Sequence, residues 1–320
     1  MLRLEELIAT ARGTAGVRAK RELSIVRRLG GSPDGDDAAV LPDGDRYLLL
    51  CGEAIVPFFV ESEPFEAGAA AVVTNVSDIR AMCGRPVGLV DMLVSPDRRH
   101  AEAVLDGLAW AGDLLGVPVV GGHLTIGGGP SLSASCTGVA RTPLRASRAR
   151  PGQLLLAAYC LDGRFHAKHP FFSSLRSRPA EQLRDDGEAL VEVAEAGLVH
   201  AARDVSMPGV LGSLVQMLEP RLLGAVVEAG KLPRPSGVAI ERWLVTFPSY
   251  GFLLAAPPEH AERACEAFLR RGLACAVCGE LDDSGVVRLS DGGADGEVWD
   301  LRRERFTGLG DARPTRQGEG

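Results

Sequence analysis

The stretch PFEAGAAAVVTNVSDIRAMCGRPVG, residues 64–88, decides most of what the sequence indicates about the fold. Residues 65–82 are rich in alanine and contain no proline, which predicts a buried helix. A strand is predicted to follow over Val87–Val94. Within the helix, Asn75 and Asp78 are three residues apart and therefore share a face. Because an unpaired carboxylate is costly to bury, Asp78 is a candidate functional acid. A helix N-cap is the alternative, but helical patterning continues on both sides of it.

Around this stretch, the first half mixes helices and strands. Residues 98–115 carry an apolar stripe and are followed by Gly116, which predicts an amphipathic helix with a glycine stop. Residues 1–30 predict a helical start followed by a mobile stretch, Arg12–Lys20. Strands are predicted over Ala38–Leu41, Arg46–Cys51 and Ser131–Val139.

The second half is mixed as well. Strands are predicted over Gln153–Tyr159, Trp243–Ala256 and Ala274–Gly279, and a helix over Glu259–Arg271. One further helix is predicted to place on one face Leu190, Val193, Ala194, Leu198 and Ala201. A shorter helix after Asp204 is predicted to do the same with Leu211, Leu214, Val215 and Leu218.

At 320 residues the chain is longer than one core usually spans, which predicts two domains. A polar stretch with proline and several arginines, residues 141–152, is the predicted boundary. We expect a first domain over 1–142, a second over 150–306 and a disordered tail over 307–320. Because both halves mix strands and helices, the fold class is α/β or α+β, and periodicity alone does not choose between them.

Composition excludes several classes of protein. The chain is 46% hydrophobic and 24% charged, which excludes wholesale disorder. Its net charge of −7 gives no basis for binding nucleic acid or an anionic membrane. The most apolar run, residues 154–161, is far shorter than the roughly 20 residues that cross a bilayer. Glu5 and Glu6 argue against a secretory signal, and seven irregularly spaced cysteines predict reduced thiols. We therefore expect a cytoplasmic protein.

Three further segments carry residue types that handle a nucleoside triphosphate, which needs carboxylates for Mg²⁺ and glycine-rich backbone near the phosphates. Asp36 and Asp37 follow a glycine and precede an apolar strand, with a solvated turn as the alternative. Gly121 and Gly122 predict a turn whose amides face a phosphate, with a hairpin turn as the alternative. Asp204 precedes a helix, where a helix cap is a strong alternative.

Two pairs of cysteine and histidine residues are weaker candidates. Cys275 and Cys278 form a single CxxC, but zinc requires a second ligand pair, so we interpret both as core thiols. His166 and His169 are half of a metal site by spacing, and we expect polar surface or a position near a substrate. No pattern typical of a serine or cysteine nucleophile stands out in the sequence.

Five segments, taken in order, resemble one superfamily, which contains AIR synthase, selenophosphate synthetase, thiamine-monophosphate kinase and the hydrogenase maturation protein that dehydrates a carboxamide. They are GDDAAV (35–40), residues 64–88, VPVVGGHLT (117–125), ARDVSMPGVLGSLVQMLE (202–219) and CAVCGEL (275–281). Their order and spacing are more specific than any one of them. The resemblance implies an α/β plus α+β, two-domain AIR synthase-like fold. It also implies a homodimer, in which the N-terminal domains build a shared β-barrel with ATP sites near the interface.

The resemblance implies roles for particular residues. The implied Mg²⁺ ligands are Asp37, Glu53 and Asp78, with Asp36 beside them, and Asp204 is the acid that the second domain contributes to metal and catalysis. Lys20 is the implied phosphate-contacting lysine. The implied ATP-binding residues are Asn75, Gly121, Gly122, His123 and Thr125.

The chain also departs from the family pattern. No cysteine precedes Cys51, which argues against the selenide activation of selenophosphate synthetase. Glu53 stands where members usually have Asp. The Asp-Gly and the late Gly-Gly-Glu-Asp-Tyr of thiamine-monophosphate kinase are replaced by Met207-Pro208 and by residues 247–251. His123 matches the Gly-Gly-His of selenophosphate synthetase, where the other members have an acid.

These features predict an enzyme that uses ATP and Mg²⁺ to phosphorylate an amide, carbonyl or phosphate oxygen of a small-molecule substrate. A thiamine-monophosphate kinase-like kinase is one alternative, and a catalytically silent nucleotide-binding partner subunit is another. The weakest hypothesis is a redox protein that uses Cys275 and Cys278. We expect a homodimer, because a half-barrel in each first domain leaves strand edges unpaired until a second copy closes it.

Overall fold

A computed structural model describes residues 3–29 and 35–310. Within these ranges, no helix combines the length and the apolar character needed to cross a lipid bilayer. The chain begins with helices α1 (Leu4–Arg12) and α2 (Ala15–Lys20) and a 3₁₀ turn over Leu23–Leu29. Most of the stretch predicted to be mobile is therefore helical. Thr14 caps α2, since its Oγ1 accepts a hydrogen bond from the Val17 amide at 3.1 Å.

A five-stranded sheet forms the core of the first half. In chain order its strands are β1 (Ala39–Asp43), β2 (Arg46–Ile55), β3 (Arg85–Ser95), β4 (Val119–Ile126) and β5 (Ser131–Ala140). They lie in the order β1-β2-β5-β3-β4, with β3 and β4 parallel and the other neighbours antiparallel. One face is covered by α3 (Pro57–Ser62), α4 (Pro64–Ala81) and α5 (Arg98–Leu115). The sheet is open within one chain, with β1 and β4 at its edges.

The two long helices of this half confirm their predictions. The α5 helix has the predicted bounds, because Asp97 Oδ1 accepts from the His100 amide at its start and Gly116 takes a left-handed φ of 71° at its end. The α4 helix begins at Pro64, a residue suited to the first helical turn, and ends at Ala81.

A seven-stranded sheet forms the second half, in the order β15-β14-β10-β13-β6-β12-β9. Its strands are β6 (Leu154–Tyr159), β9 (Ala201–Asp204), β10 (Gly224–Glu228), β12 (Gly251–Ala256), β13 (Ala274–Asp282), β14 (Val286–Ser290) and β15 (Asp295–Asp300). A small sheet joins β7 (Arg164–Phe165), β8 (Phe171–Ser173) and β11 (Phe247–Pro248). Helices α6 (Ala180–Glu195) and α9 (Ala261–Leu269) pack on one face of the large sheet. The other face packs against α7 (Gly209–Leu218), α8 (Ile240–Leu244) and α1. Single 3₁₀ turns span Ala146–Arg148, Glu219–Arg221, Ala229–Lys231 and Pro258–His260.

Two predicted elements of the second half are wrong in extent. The helix expected to carry Leu198 and Ala201 ends at Glu195, because Gly197 takes a left-handed φ of 67°. The strand expected over Trp243–Ala256 is divided into β11 (Phe247–Pro248) and β12 (Gly251–Ala256), and Trp243 belongs to α8. The Trp243 ring packs edge-on against the ring of Tyr159 at 5.3 Å, so its apolar surface serves a short helix on the core.

Contacts between the two halves involve both the helices and the chain start. Arg80 on α4 donates from Nη2 to the Leu183 carbonyl at 3.1 Å. The α1 helix packs against β15, where a Cβ on Gly296 would lie 2.3 Å from Ile8 Cδ1. The first helix thus contacts the second half, and the domain bounds at 1–142 and 150–306 stay predictions. Of the predicted tail, residues 307–310 are described and Thr307 is buried, whereas 311–320 lie outside the described residues.

Candidate functional site

Three aspartates from separate parts of the chain meet where the two halves touch. Asp37 precedes β1, Asp78 lies in the last turn of α4, and Asp204 ends β9. One carboxylate oxygen from each lies within 4.8 Å of the others. All three were singled out from the sequence, and the fold brings them together because α4 packs beside β9.

The second half holds Asp37 in place. Arg203 forms an ion pair with it, with Nη2 2.8 Å from Oδ1. The amide of Asp204 donates to the other Asp37 oxygen at 3.2 Å. Arg203 Nη1 also donates to the Gly35 carbonyl at 2.6 Å. The segment before β1 is therefore fastened to β9, which fixes Asp37 relative to Asp204.

Burial raises the pKa of every acid in this group, and repulsion from neighbouring acids adds to the rise for Glu53, Asp78 and Asp204. For Asp78, burial and then the charges of Asp204, Glu53 and Asp37 hold the pKa well above its ordinary value. For Asp204, burial and then the charge of Asp37 raise the pKa to about 8. Burial also raises the pKa of Asp37 and of Glu53, although Arg203 and Lys20 oppose the rise. The Lys20 charge thus acts on all four acids.

Lys20 reaches this group from the end of α2. That helix packs closely on the turn at Met207: a Cβ on Gly16 would lie 2.2 Å from the Met207 carbonyl oxygen, so a residue with a side chain would push α2 away. The Met207-Pro208 sequence, which departs from the kinase pattern, is therefore the surface that supports the helix carrying Lys20.

Two residues predicted for the site are engaged elsewhere. Asp36 Oδ1 accepts from the Ala146 amide at 2.8 Å, and Asp36 lies outside the three-acid group. Asn75 is fully buried, donates from Nδ2 to the Ala71 carbonyl at 2.8 Å and accepts from Cys51 Sγ at 3.4 Å. This geometry gives Asn75 a structural role between α4 and β2, and its contact with a nucleotide stays a prediction.

The glycine pair does not form the predicted turn. Gly121, Gly122, His123 and Thr125 all lie within β4, an edge strand. Gly122 is paired with Asp91 and His123 with the next residue of β3, so the two point to opposite faces of the sheet. His123 Nε2 and Thr125 Oγ1 are 3.3 Å apart, and both residues are exposed. Only Gly122 among them lies on the covered face, where Glu53 and Asp78 are found.

Asp91 is a further acid that sequence reasoning missed. It lies opposite Ala134 on β5, which in turn lies opposite Glu53 on β2, so both acids are on the covered face. A Cβ on Gly122 would lie 2.2 Å from Asp91 Oδ1, which explains the glycine at that position. Its pKa is raised by burial. The sequence did contain a signal for this acid, because Asp91 lies between apolar residues within a predicted strand.

Arg203 was also missed. Its position directly before Asp204 was the available signal, because a buried acid requires a cation or several donors nearby. Within the described residues it is the cation that hydrogen-bonds directly to one of the three aspartates.

The histidine pair lies apart from the acids. The rings of His166 and His169 stack with centroids 4.9 Å apart, and Phe59 of α3 packs edge-on against both. They lie beside Glu63, whose pKa their charges help to lower after the larger effect of Lys168. Asp78 is at the other end of α4, about 22 Å along the helix at the usual rise per residue. The pair therefore packs in an aromatic contact between the halves and is not plain polar surface.

The CxxC cysteines are buried, as predicted for core thiols. Cys275 packs on the face that carries α6 and α9, with its Sγ 3.5 Å from that of Cys265. Cys278 packs on the opposite face, and its Sγ donates to the Leu155 carbonyl at 3.5 Å. Because the two thiols are on different faces of the sheet, they do not form a chelating or redox pair.

The donor set of the acid group suits a divalent cation. Mg²⁺ prefers carboxylate oxygens, and three converge here. Four acids, Asp37, Glu53, Asp78 and Asp204, face the two cations Lys20 and Arg203, so the fully ionised group carries excess negative charge. The residues present therefore fit Mg²⁺.

The open five-stranded sheet, the seven-stranded sheet and the acids between them define a two-domain AIR synthase-like fold. Residues 35–140 match the N-terminal domain, and residues 172–292 the C-terminal domain, of "AIR synthase related protein". The chain belongs to the AIR synthase-related family.

The sequence is similar to proteins of about the same length and to longer proteins. An uncharacterized protein of Synechocystis sp. is 31% identical over 96% of this chain and 98% of its own length. An uncharacterized protein of Methanocaldococcus jannaschii is 32% identical over 86% of each chain. The phosphoribosylformylglycinamidine synthase subunit PurL of Methanopyrus kandleri is 26% identical over 81% of this chain and 39% of its own. The chain thus spans about two fifths of that subunit.

Solved structures share the fold. The PurL protein of T. maritima complexed with ADP superposes with a TM-score of 0.74 at 22% identity, over 89% of this chain and 48% of that chain. The HypE-HypF complex gives 0.67 at 17% identity, over 86% of this chain and 97% of that chain. AaThiL complexed with AMPPCP and TMP gives 0.67 at 18% identity, over 93% and 99%.

Proposed function

We propose that the protein is a cytoplasmic enzyme that uses ATP and Mg²⁺ to transfer a phosphoryl group to an amide, carbonyl or phosphate oxygen of a small molecule. The observation that carries this proposal is the convergence of Asp37, Asp78 and Asp204 within 4.8 Å, under the charge of Lys20. Structures with this fold are complexed with ADP, ATP or AMPPCP, which supports a nucleotide as the ligand.

In this proposal Asp37, Asp78 and Asp204 hold the metal, with Glu53 close enough to add its charge. Bound Mg²⁺ would neutralise the charge that develops on the transferring phosphoryl group. Lys20 supplies a second cation from α2, and Arg203 keeps Asp37 oriented. As the substrate oxygen bonds to the γ-phosphorus, the bond to the bridging oxygen breaks and ADP leaves. Acids with raised pKa values give up their protons when they bind a metal.

A catalytically silent nucleotide-binding subunit is the second candidate. The ion pair between Arg203 and Asp37 favours it, because a cation already compensates one of the three carboxylates. A thiamine-monophosphate kinase-like activity is a third candidate, supported by the likeness to AaThiL in fold. The replacement of the kinase Asp-Gly by Met207-Pro208 weighs against it.

We also propose that two copies associate through the open face of the first sheet. That face carries large apolar side chains which are at least 38% exposed, namely Leu41, Leu50, Val87, Val90, Met92 and Val120. Large apolar side chains exposed on one face of a sheet often mark an interface. The unpaired edges of β1 and β4 lie on either side of it, so a second copy that covers the face could also extend the sheet.

The melting temperature of the purified protein tests the nucleotide site. Mg²⁺ with ATP should raise it, and ATP with a chelator should do so far less, because the acids repel a bare triphosphate. Equal stabilisation with and without metal would show that these acids are not metal ligands. Measuring ATP consumption with and without candidate substrates then separates an enzyme from a silent subunit.

A further inference from the structure

Residues 304–309, close to the end of the described chain, form a strap that contacts the chain segment carrying Lys20. Arg21, the residue after Lys20, forms an ion pair with Glu304. Its guanidinium also lies over the ring of Trp299, with the Cζ atom 5.7 Å from the ring centroid. The Trp299 Nε1 donates to the Glu304 carbonyl at 2.9 Å. Trp299 and Glu304 thus both contact Arg21, directly after the end of α2.

Glu219 holds the strap in place through hydrogen bonds to its carboxylate. It is 1% exposed, and its carboxylate accepts from the amides of Phe306 at 2.8 Å, Thr307 at 2.9 Å and Gly308 at 3.0 Å. The Thr307 hydroxyl donates to the same carboxylate. Four donors from residues 306–308 thus converge on this one side chain, which holds the middle of the strap in place.

The far end of the strap reaches both segments that lead into the acid group. Gly308 has a φ of 68°, and a Cβ there would lie 3.1 Å from Ser24 Cβ in the 3₁₀ turn after Lys20. Leu309 Cβ lies 3.4 Å from the place of a Cβ on Gly35. The carbonyl of Gly35 accepts from Arg203, which pairs with Asp37. The strap therefore braces Lys20 on one side and the Asp37 segment on the other without entering the site.

We propose that Glu219 is a positioning residue for the metal and nucleotide site: through the strap it fixes Lys20 and Asp37 relative to Asp78 and Asp204. This inference rests on the proposed function of the acid group. A purely structural Glu219 would stabilise the second half without any effect on the site.

The test compares two strap variants with a matched control in the full chain. Glu219→Gln replaces half of the acceptor with a donor, and Thr307→Val removes one donor and serves if the first variant does not fold. Val193→Ala on α6, on the opposite face of the large sheet, is the control for a general loss of stability. Hydrogen exchange of residues 15–29 and the dissociation constant of Mg²⁺-ATP are measured well below the melting temperature.

In the strap variants we expect faster exchange in residues 15–29 and about tenfold weaker Mg²⁺-ATP binding, the scale of loss typical of residues that orient metal ligands. The control should lose melting temperature with neither change. If the strap variants behave like the control, Glu219 is structural and the inference is wrong. If the wild-type protein does not bind Mg²⁺-ATP, the proposed function fails. In that case, hydrogen exchange of residues 15–29 still tests the strap, and exchange that is unchanged in the strap variants would show that the strap does not brace this segment.

Discussion

Arg203 Nη2 lies 2.8 Å from Asp37 Oδ1, and this ion pair joins β9 to the segment before β1 with both side chains at most 6% exposed. Burying two charges is costly unless further hydrogen bonds satisfy them. Here the Gly35 carbonyl accepts from the guanidinium and the Asp204 amide donates to the carboxylate. The pair therefore organises one corner of the acid group before any ligand arrives.

Replacing Arg203 with Met should destabilise the metal-free protein by about 3–5 kcal/mol, because it leaves Asp37 buried without its cation. Mg²⁺ should recover part of this loss if it binds at the same acids, since a positive charge again faces Asp37. Denaturant unfolding with Mg²⁺ and with chelator measures both effects. A loss that Mg²⁺ leaves unchanged would mean that Asp37 does not bind the metal.

Replacing Asp78 with Asn removes one negative charge and keeps the shape. Turnover should fall at least roughly a hundredfold, since lost electrostatic stabilisation of the transferring group costs about 3 kcal/mol. The metal-free protein should be as stable as the wild type or more so, because repulsion from Asp204, Glu53 and Asp37 is relieved.

Asp186→Asn is the matched control for that variant. Asp186 is also a buried helical acid, but it accepts from Arg178 Nη2 at 2.8 Å and lies outside the acid group. Its loss should lower stability and leave Mg²⁺-ATP affinity unchanged. If Asp78→Asn shows this same pattern, Asp78 is a structural acid and our assignment fails.

The pH dependence of stability should reveal the acid group. Because the folded-state pKa of Asp204 is raised to about 8, the folded protein holds a proton that the unfolded chain releases near pH 4. Metal-free stability contributed by this group is full at low pH and falls as pH rises to about 8. Unfolding curves from pH 5 to 8 should show the decline, and Asp204→Asn should flatten it. A rise over that range in the wild type, absent from Asp204→Asn, would contradict the raised pKa.

Sedimentation tests the homodimer. We expect a dimer at micromolar concentration, and Met92→Glu should give a monomer because it places a charge on the open apolar face. Leu269→Glu is the control, since Leu269 is 51% exposed on α9 in the other half. A wild-type protein that is monomeric throughout the micromolar range would remove the proposed interface.

Much of the fold could be predicted because local signals agreed with the tertiary structure. Residues 98–115 had an apolar stripe and a glycine stop, and the helix has the bounds that these signals predicted. The apolar run that begins at Trp243 had no comparable start or stop signal. A short apolar run of this kind can be buried either as a single helical turn or as a strand. Packing against the core, which the sequence does not show, decides between the two.

The site could be predicted in part for a similar reason. Asp37, Asp78 and Asp204 lie in three short-range patterns, and the resemblance of these patterns in order to one superfamily grouped them. The partner of Asp37 is Arg203, 166 positions away, and the place of Arg203 directly before Asp204 does not point to Asp37. Gly122 was misplaced because a glycine that makes room for the neighbouring Asp91 carboxylate looks, in sequence, like a glycine that makes a turn.

The packing of α1 on β15 has a consequence for the order of events during synthesis. The helix ends at Arg12, but the strand that covers it begins at Asp295. A ribosome that adds about 5–20 residues per second takes on the order of tens of seconds to make the chain between them. Until then Leu7 and Ile8 lack the strand β15 that covers them. A nascent chain that has completed the first half thus still lacks Asp204 and the strand that covers α1, so the acid group assembles only after the second half has been made.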